Sequence, residues 1–106
     1  MSRTFELRTY TLASPEAADA YATVHWARHV PSLARFGVTT HGVFREAGEA
    51  VVVALVSMPE GADPDAVSRE FLASDAFRAD MAGFAMGDIV GVTTRVLEAA
   101  PASPLR

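Results

Sequence analysis

The densest concentration of side chains able to do chemistry lies between Tyr21 and His29. Tyr21, His25 and His29 follow one another at intervals of four residues, and Trp26 flanks them. At about 100° per residue, that spacing places them on one stripe of a helix. Ala18, Ala22, Leu33 and Phe36 share the stripe, while Asp19, Ala20, Thr23, Ala27 and Ala34 occupy the other side. The stripe is therefore the side that faces the interior. Polar groups aimed inward need partners or a cavity. An imidazole at such a place can serve as acid, base or hydrogen-bond donor near neutral pH. His25, His29 and Tyr21 are the expected catalytic residues. The His-x-x-x-His spacing also suits a metal pair, but a third ligand would have to come from elsewhere, such as Glu6 or Asp88. No Glu stands between the histidines as in zinc proteases, so no metal is expected.

A second set sits on segments that alternate as strands do. Glu6, Arg8 and Tyr10 share one face of the first strand, opposite Phe5, Leu7 and Thr9. His41 and Arg45 are expected on one face of the second strand, and Thr93 and Arg95 on one face of the last. Arg8 or Arg95 could meet a carboxylate or an enolate. An ion pair between Glu6 and a neighbouring Arg is the structural alternative. Phe71, Phe77, Met81, Phe84 and Met86 suit a helix core or the wall of an apolar pocket. Tyr10, Arg8, Trp26, Phe77, Met81 and Arg95 are the expected substrate-binding residues.

The elements that must hold these groups are legible in turn. Thr4 to Leu12 reads as a strand. Ser14-Pro15-Glu16 starts a helix by capping, N1 proline and a favourable charge on the dipole. That helix is expected to reach Phe36, end at Gly37, and kink near His29 or Val30 because of Pro31. Val38 to Arg45 and Ala50 to Met58 form a hairpin around Glu46-Ala47-Gly48-Glu49. Asp63-Pro64 opens a second helix ending near Leu72, and Ser74-Asp75 caps a short third one. Ile89 to Leu97 is the last strand, and residues 99–106 form an extended C-terminal arm. The order is α+β: a ferredoxin-like βαββαβ domain with a four-stranded antiparallel sheet, spanning 1–106 without a linker or repeat.

Two main helices can cover one face of such a sheet. Yet strand three is apolar on both sides, with Val51, Val53 and Leu55 against Val52, Ala54 and Val56. Strand four adds Val90, Val92 and Val96 on one side and Ile89 and Leu97 on the other. A homodimer that packs the second face against its twin would close it by two-fold symmetry, forming a dimeric α/β barrel.

Composition excludes several functions. The chain has 106 residues, half of them hydrophobic, which is one domain with a real core. Cysteine is absent, so disulfides, thiolate nucleophiles and Cys-based clusters are impossible. A net charge of −4 argues against nucleic acid as a partner. All nine basic residues are Arg, which carries no message about a site. No Gly-rich phosphate loop and no nucleophile-elbow serine occurs. No cofactor is expected. The N-terminal stretch carries Arg3, Glu6 and Arg8 and does not read as a signal peptide. The longest apolar run, Ala50 to Val56, is too short to span a bilayer. A cytoplasmic protein with no membrane partner is the expectation.

The strand-one run Phe5-Glu6-Leu7-Arg8-Thr9-Tyr10-Thr11-Leu12 resembles the opening of NIPSNAP-type domains, with their Glu-Leu-Arg-x-Tyr strand. The resemblance continues through Val30-Pro31-Ser32-Leu33 and Gly37 to Gly42-Val43-Phe44. It resumes at Ser74-Asp75-Ala76-Phe77-Arg78, Thr93-Thr94-Arg95-Val96-Leu97 and Ser103-Pro104-Leu105. Two places depart from the family pattern: Glu49-Ala50 stands where an Asn is frequent, and Phe77 where Trp is common. The resemblance implies the dimeric α/β-barrel superfamily. Its members include cofactor-independent monooxygenases, polyketide cyclases, lactone isomerases and haem-degrading enzymes, with pockets between sheet and helices. NIPSNAP domains share no single established reaction, so the resemblance lends Glu6, Arg8 and Tyr10 as family features and no catalytic set. The expected activity is a cofactor-independent cyclase, isomerase or monooxygenase on an apolar, aromatic or polyketide-like small molecule. The alternatives are a non-catalytic ligand-binding or assembly module, or a haem or metal binder through His25 and His29.

Overall fold

A computed structural model describes residues 3–106. Met1 and Ser2, the start of the expected 1–106 domain, lie outside the described residues. Strand β1 (Thr4–Leu12) leads into a long helical segment of three parts: α1 (Pro15–Ala20), a π-helical turn (Tyr21–His25) and α2 (Trp26–Ala34). Strands β2 (Thr39–Arg45) and β3 (Val51–Met58) follow, then α3 (Pro64–Leu72), α4 (Asp75–Asp80), a 3-10 turn (Met86–Asp88) and β4 (Ile89–Leu97). The order β2-β3-β1-β4 is antiparallel throughout, as expected of a ferredoxin-like α+β fold.

The helix starts obey local chemistry. Ser14 Oγ accepts from Ala17 N at 3.1 Å, with Pro15 in the first turn. Asp63 caps α3 in the same way, again before a proline. Ser74 Oγ accepts from Phe77 N at 3.1 Å to start α4. Gly37 ends the long helix in a left-handed conformation, φ 80°, which a residue with a Cβ adopts only at a cost.

Pro31 does not break the helix where the sequence suggested. Segment α2 continues through it as α-helix. The departure comes earlier, in the π turn, where the Trp26 amide donates to the carbonyl of Tyr21, five residues back. The inserted residue widens the inward face. His25 and Trp26, adjacent in sequence, are both buried together with Tyr21 and His29.

Residues in register across the sheet share a face. Arg8 stands opposite Ala54 on β3 and Thr94 on β4; Tyr10 stands opposite Val52 and Val92. That face carries the helices and the main core, in which Val52, Ala54 and Val56 are inaccessible to solvent. Leu7 stands opposite Leu55 and Arg95 on the outer face. Residues 100–103 turn back instead of continuing as an extended arm, through Ser103 N to Ala100 O at 2.9 Å. Ser103 and Leu105 then border a shallow cleft on the outer face with Phe5, Leu55 and Leu97.

A bulge between Thr40 and Gly42 changes the expected pairing of faces on β2. His41 joins the outer face, with its Nε2 at 2.7 Å from Ser57 Oγ and its ring against Phe5. Arg45 points to the helix face and donates to Asp19 Oδ1 at 2.7 Å. The two do not share a face, because one extra residue reverses the alternation.

Candidate functional site

The backbone of α3 packs mainly on α4, and the space under it, over β1 and β4, is a cavity of about 420 Å³. That volume suits a small organic ligand. Arg8 and Tyr10 form part of its floor, with Val92 and Thr94. Tyr21, Trp26, His29 and Leu33 form the wall on the long helix. Val67, Ser68, Phe71 and Phe77 form the roof. Leu72, Met86 and Val92 line it while remaining about half exposed, so the mouth lies between α3 and the uncovered edge strand β4.

His29 is held on every side. Phe77 stacks on its ring at 5.8 Å, and Trp26, Phe71 and Tyr21 meet it edge-on. Its Nδ1 lies 2.9 Å from Asp80 Oδ2. Burial lowers the His29 pKa below the usual histidine value; the hydrogen bond and charge of Asp80 oppose that shift without overcoming it. At neutral pH the ring is therefore neutral, with its Nδ1 against the Asp80 carboxylate.

Arg8 is buried beside Glu6, its Nε 2.6 Å from Glu6 Oε1. Burial works against the Arg8 charge, but Tyr10 and Glu6 outweigh it and hold the guanidinium protonated. Nη2 reaches Ser68 Oγ at 3.4 Å. Because Glu6 already balances Arg8, the floor is polar but close to neutral, and it suits a hydrogen-bond acceptor better than a free anion. Tyr10 and Tyr21 meet edge to face at 5.1 Å. Burial raises the pKa of both phenols, and each tyrosine's neighbours modify the shift. Both remain protonated and can donate. Trp26 Nε1–H is buried with no hydrogen-bond partner among the described residues.

The fold thus brings together Arg8, Tyr10, Tyr21, Trp26, His29 and Phe77 from the residues expected on sequence grounds. It leaves three outside the lining. His25 turns its Nδ1 to the Asp80 carbonyl at 2.8 Å. Met81 is buried in the core, because the chain turns at the end of α4. Arg95 stands opposite Leu7, on the outer face, because the β1–β4 register sets its side. Ser68 and Asp80 join the site from outside the residues expected on sequence grounds. Ser68 carries no sequence signal, whereas an Asp closing a short amphipathic helix is at least a candidate partner for an inward histidine.

His25 meets the Asp80 carbonyl and His29 its carboxylate, each through Nδ1, and Glu6 is held by Arg8. No group of three His, Asp or Glu side chains is placed to hold an ion among the described residues. No helix among them is long and apolar enough to cross a membrane.

No family model matches the chain, and no curated protein does. Solved structures do. A NIPSNAP family protein of unknown function from Agrobacterium tumefaciens str. C58 superposes over 98% of this chain and 94% of its own, with TM-score 0.77 and 20% identity. The chain shares the fold of NIPSNAP family proteins. A NIPSNAP-like domain protein from Burkholderia xenovorans agrees, with TM-score 0.72 over 96% of this chain and 89% of its own at 21% identity. SnoaB, a cofactor-independent oxygenase from Streptomyces nogalater, has the same fold more distantly. Its TM-score is 0.60 over 98% of this chain and 99% of its own, at 18% identity.

Proposed function

We propose that this chain is a cofactor-independent enzyme acting on an apolar, aromatic or polyketide-like small molecule, as a cyclase, isomerase or monooxygenase. One observation carries the reading: a neutral, buried His29 lines an apolar cavity with its Nδ1 already bound elsewhere. A neutral imidazole with a free Nε2 is a general base. It would take a proton from an acidic C–H or phenolic O–H of the ligand. Arg8, Tyr10 and Tyr21 would donate to the oxygen on which negative charge then develops. Trp26 Nε1–H is a further donor for an acceptor on the ligand. The apolar lining of Leu33 in the wall and Val67, Phe71 and Phe77 in the roof suits an aromatic body. The oxygenase activity named for SnoaB, which shares the fold, supports the reaction class.

The test begins with a panel of phenols and polycyclic aromatic ketones, screened for thermal stabilisation and then for turnover. His29→Ala is expected to lower turnover of an identified substrate by roughly a hundredfold or more. Full activity in His29→Ala would remove the assignment. Binding without turnover by any panel member would favour the non-catalytic ligand module.

A homodimer through the outer face belongs to the same proposal. Leu7, Val53 and Leu55 are only half-buried there, and Phe44 is 60% exposed. These groups form an apolar surface of the kind that two-fold pairing covers.

A further inference from the structure

Four donors on the long helix converge on a single residue of α4. His25, Arg28, His29 and Ser32 follow at i, i+3, i+4 and i+7, which is one helical face. Ser32 Oγ donates to Asp80 Oδ1 at 3.0 Å, and His29 Nδ1 lies 2.9 Å from Oδ2. His25 Nδ1 meets the Asp80 main-chain carbonyl at 2.8 Å, and Arg28 Nη1 donates to that carbonyl at 3.1 Å. Each carboxylate oxygen thus has one donor, and the carbonyl has two. Asp80 itself is only 6% exposed.

The division of labour is chemical. Main-chain carbonyls accept and never donate, so the bonds from His25 and Arg28 staple α4 to the helix whatever side chain stands at position 80. The carboxylate acts elsewhere, on Ser32 and His29. We propose that Asp80 is the positioning residue that locks His29 in its Nδ1–H tautomer, with Ser32 fixing the carboxylate, so that the Nε2 lone pair is presented to the cavity. The proposal rests on reading His29 as the base, but it concerns the imidazole alone and is tested without a substrate. A neutral imidazole free of this bond could place its proton on Nε2, and the base would then be lost to the cavity.

The charge environment is defined. Asp80 faces His29 from α4, His25 from the same helix and Arg8 from β1. Tyr21, also on the long helix, meets the His29 ring and remains a neutral phenol. Of these, Asp80 favours the protonated ring, while His25 and Arg8 disfavour it.

Long-range ¹H–¹⁵N correlation spectra of the full chain at neutral pH read the tautomer directly, with His29→Gln identifying the signals. The expected wild-type pattern is a protonated Nδ1 and an unprotonated Nε2 at His29. A protonated Nε2 in the wild type overturns the proposal without any variant. Asp80→Ala keeps the main-chain staple and is expected to shift the tautomer ratio by about tenfold or more, the scale of one charge-assisted hydrogen bond. His25, held by a carbonyl, is expected to stay unchanged and serves as internal control. An unchanged His29 tautomer in folded Asp80→Ala overturns the lock. Should that variant not fold, Asp80→Asn replaces one acceptor oxygen with an NH2 donor, and the Nδ1–H population of His29 is then expected to fall while that of His25 does not. An unmoved His29 tautomer in folded Asp80→Asn overturns the proposal equally. Failure of the catalytic reading would show differently, as full turnover in His29→Ala with the wild-type tautomer intact.

Discussion

His29 shows how burial and hydrogen bonding divide one side chain's properties between them. Burial keeps the ring neutral, and Asp80 decides which nitrogen holds the proton. The depressed pKa has a consequence for stability. As pH falls below about 6.5, an unfolded chain protonates this histidine while the folded one resists. Stability is therefore expected to fall as pH drops from that value toward the folded pKa of His29. His29→Gln removes this component, so the stability lost between pH 7 and pH 5 in urea unfolding should be smaller in the variant than in the wild type. Arg8 and Glu6 make a second residue-scale case. Both are buried, and removing the carboxylate leaves a guanidinium without its counter-charge. Glu6→Ala is expected to cost about 3 kcal/mol in urea unfolding, near the lower end for a broken buried pair. A cost under about 1 kcal/mol would mean that Tyr10 and solvent already carry the Arg8 charge.

Among the elements, α4 is the short piece on which the site depends. It spans Asp75–Asp80, too short to persist alone, and it supplies both Phe77 and Asp80. Its start rests on Ser74, whose Oγ accepts from Phe77 N and donates to the carbonyl of Phe71. Ser74→Ala is expected to cost about 1 kcal/mol. Amide exchange should quicken first within α4, because the cap acts on that helix alone. Uniform loss of protection across the sheet would show instead that α4 and the core open together. The long helix presents the opposite case: its π turn lets Trp26 face inward beside its neighbour His25, where a regular helix would spread adjacent residues around its surface.

At the scale of the whole molecule, the sheet has one face under helices and one largely without them. The outer face keeps Leu7, Val53 and Leu55 partly accessible, and the C-terminal segment reaches only the region of Phe5, Leu55 and Leu97. The proposed two-fold pairing uses the uncovered remainder. Sedimentation velocity is expected to give a dimer for the wild type and a monomer for Val53→Glu, whose carboxylate would be buried at the seam. A wild-type monomer at all concentrations would dismiss the pairing. The cavity opens on the helix side, beside β4, so monomeric Val53→Glu is expected to keep ligand binding.

Much of this is legible in the sequence, because it depends on neighbours in the chain. Alternation placed Glu6, Arg8 and Tyr10 together on β1, and serine or aspartate before proline marked two helix starts. Four-residue spacing put Tyr21 and His29 on the inward side. What escaped depends on long-range geometry. A single bulge at β2 parted His41 from Arg45, and the β1–β4 register carried Arg95 to the outer face. His25 and His29 are equivalent by spacing, yet one meets a carbonyl and the other a carboxylate. That difference is made by Asp80, 51 residues beyond His29 in the chain. The elements, their order and the inward histidines follow from local periodicity and capping. Which histidine lines the cavity, and where its proton sits, depend on how α4 docks against α2, a contact that no local pattern specifies.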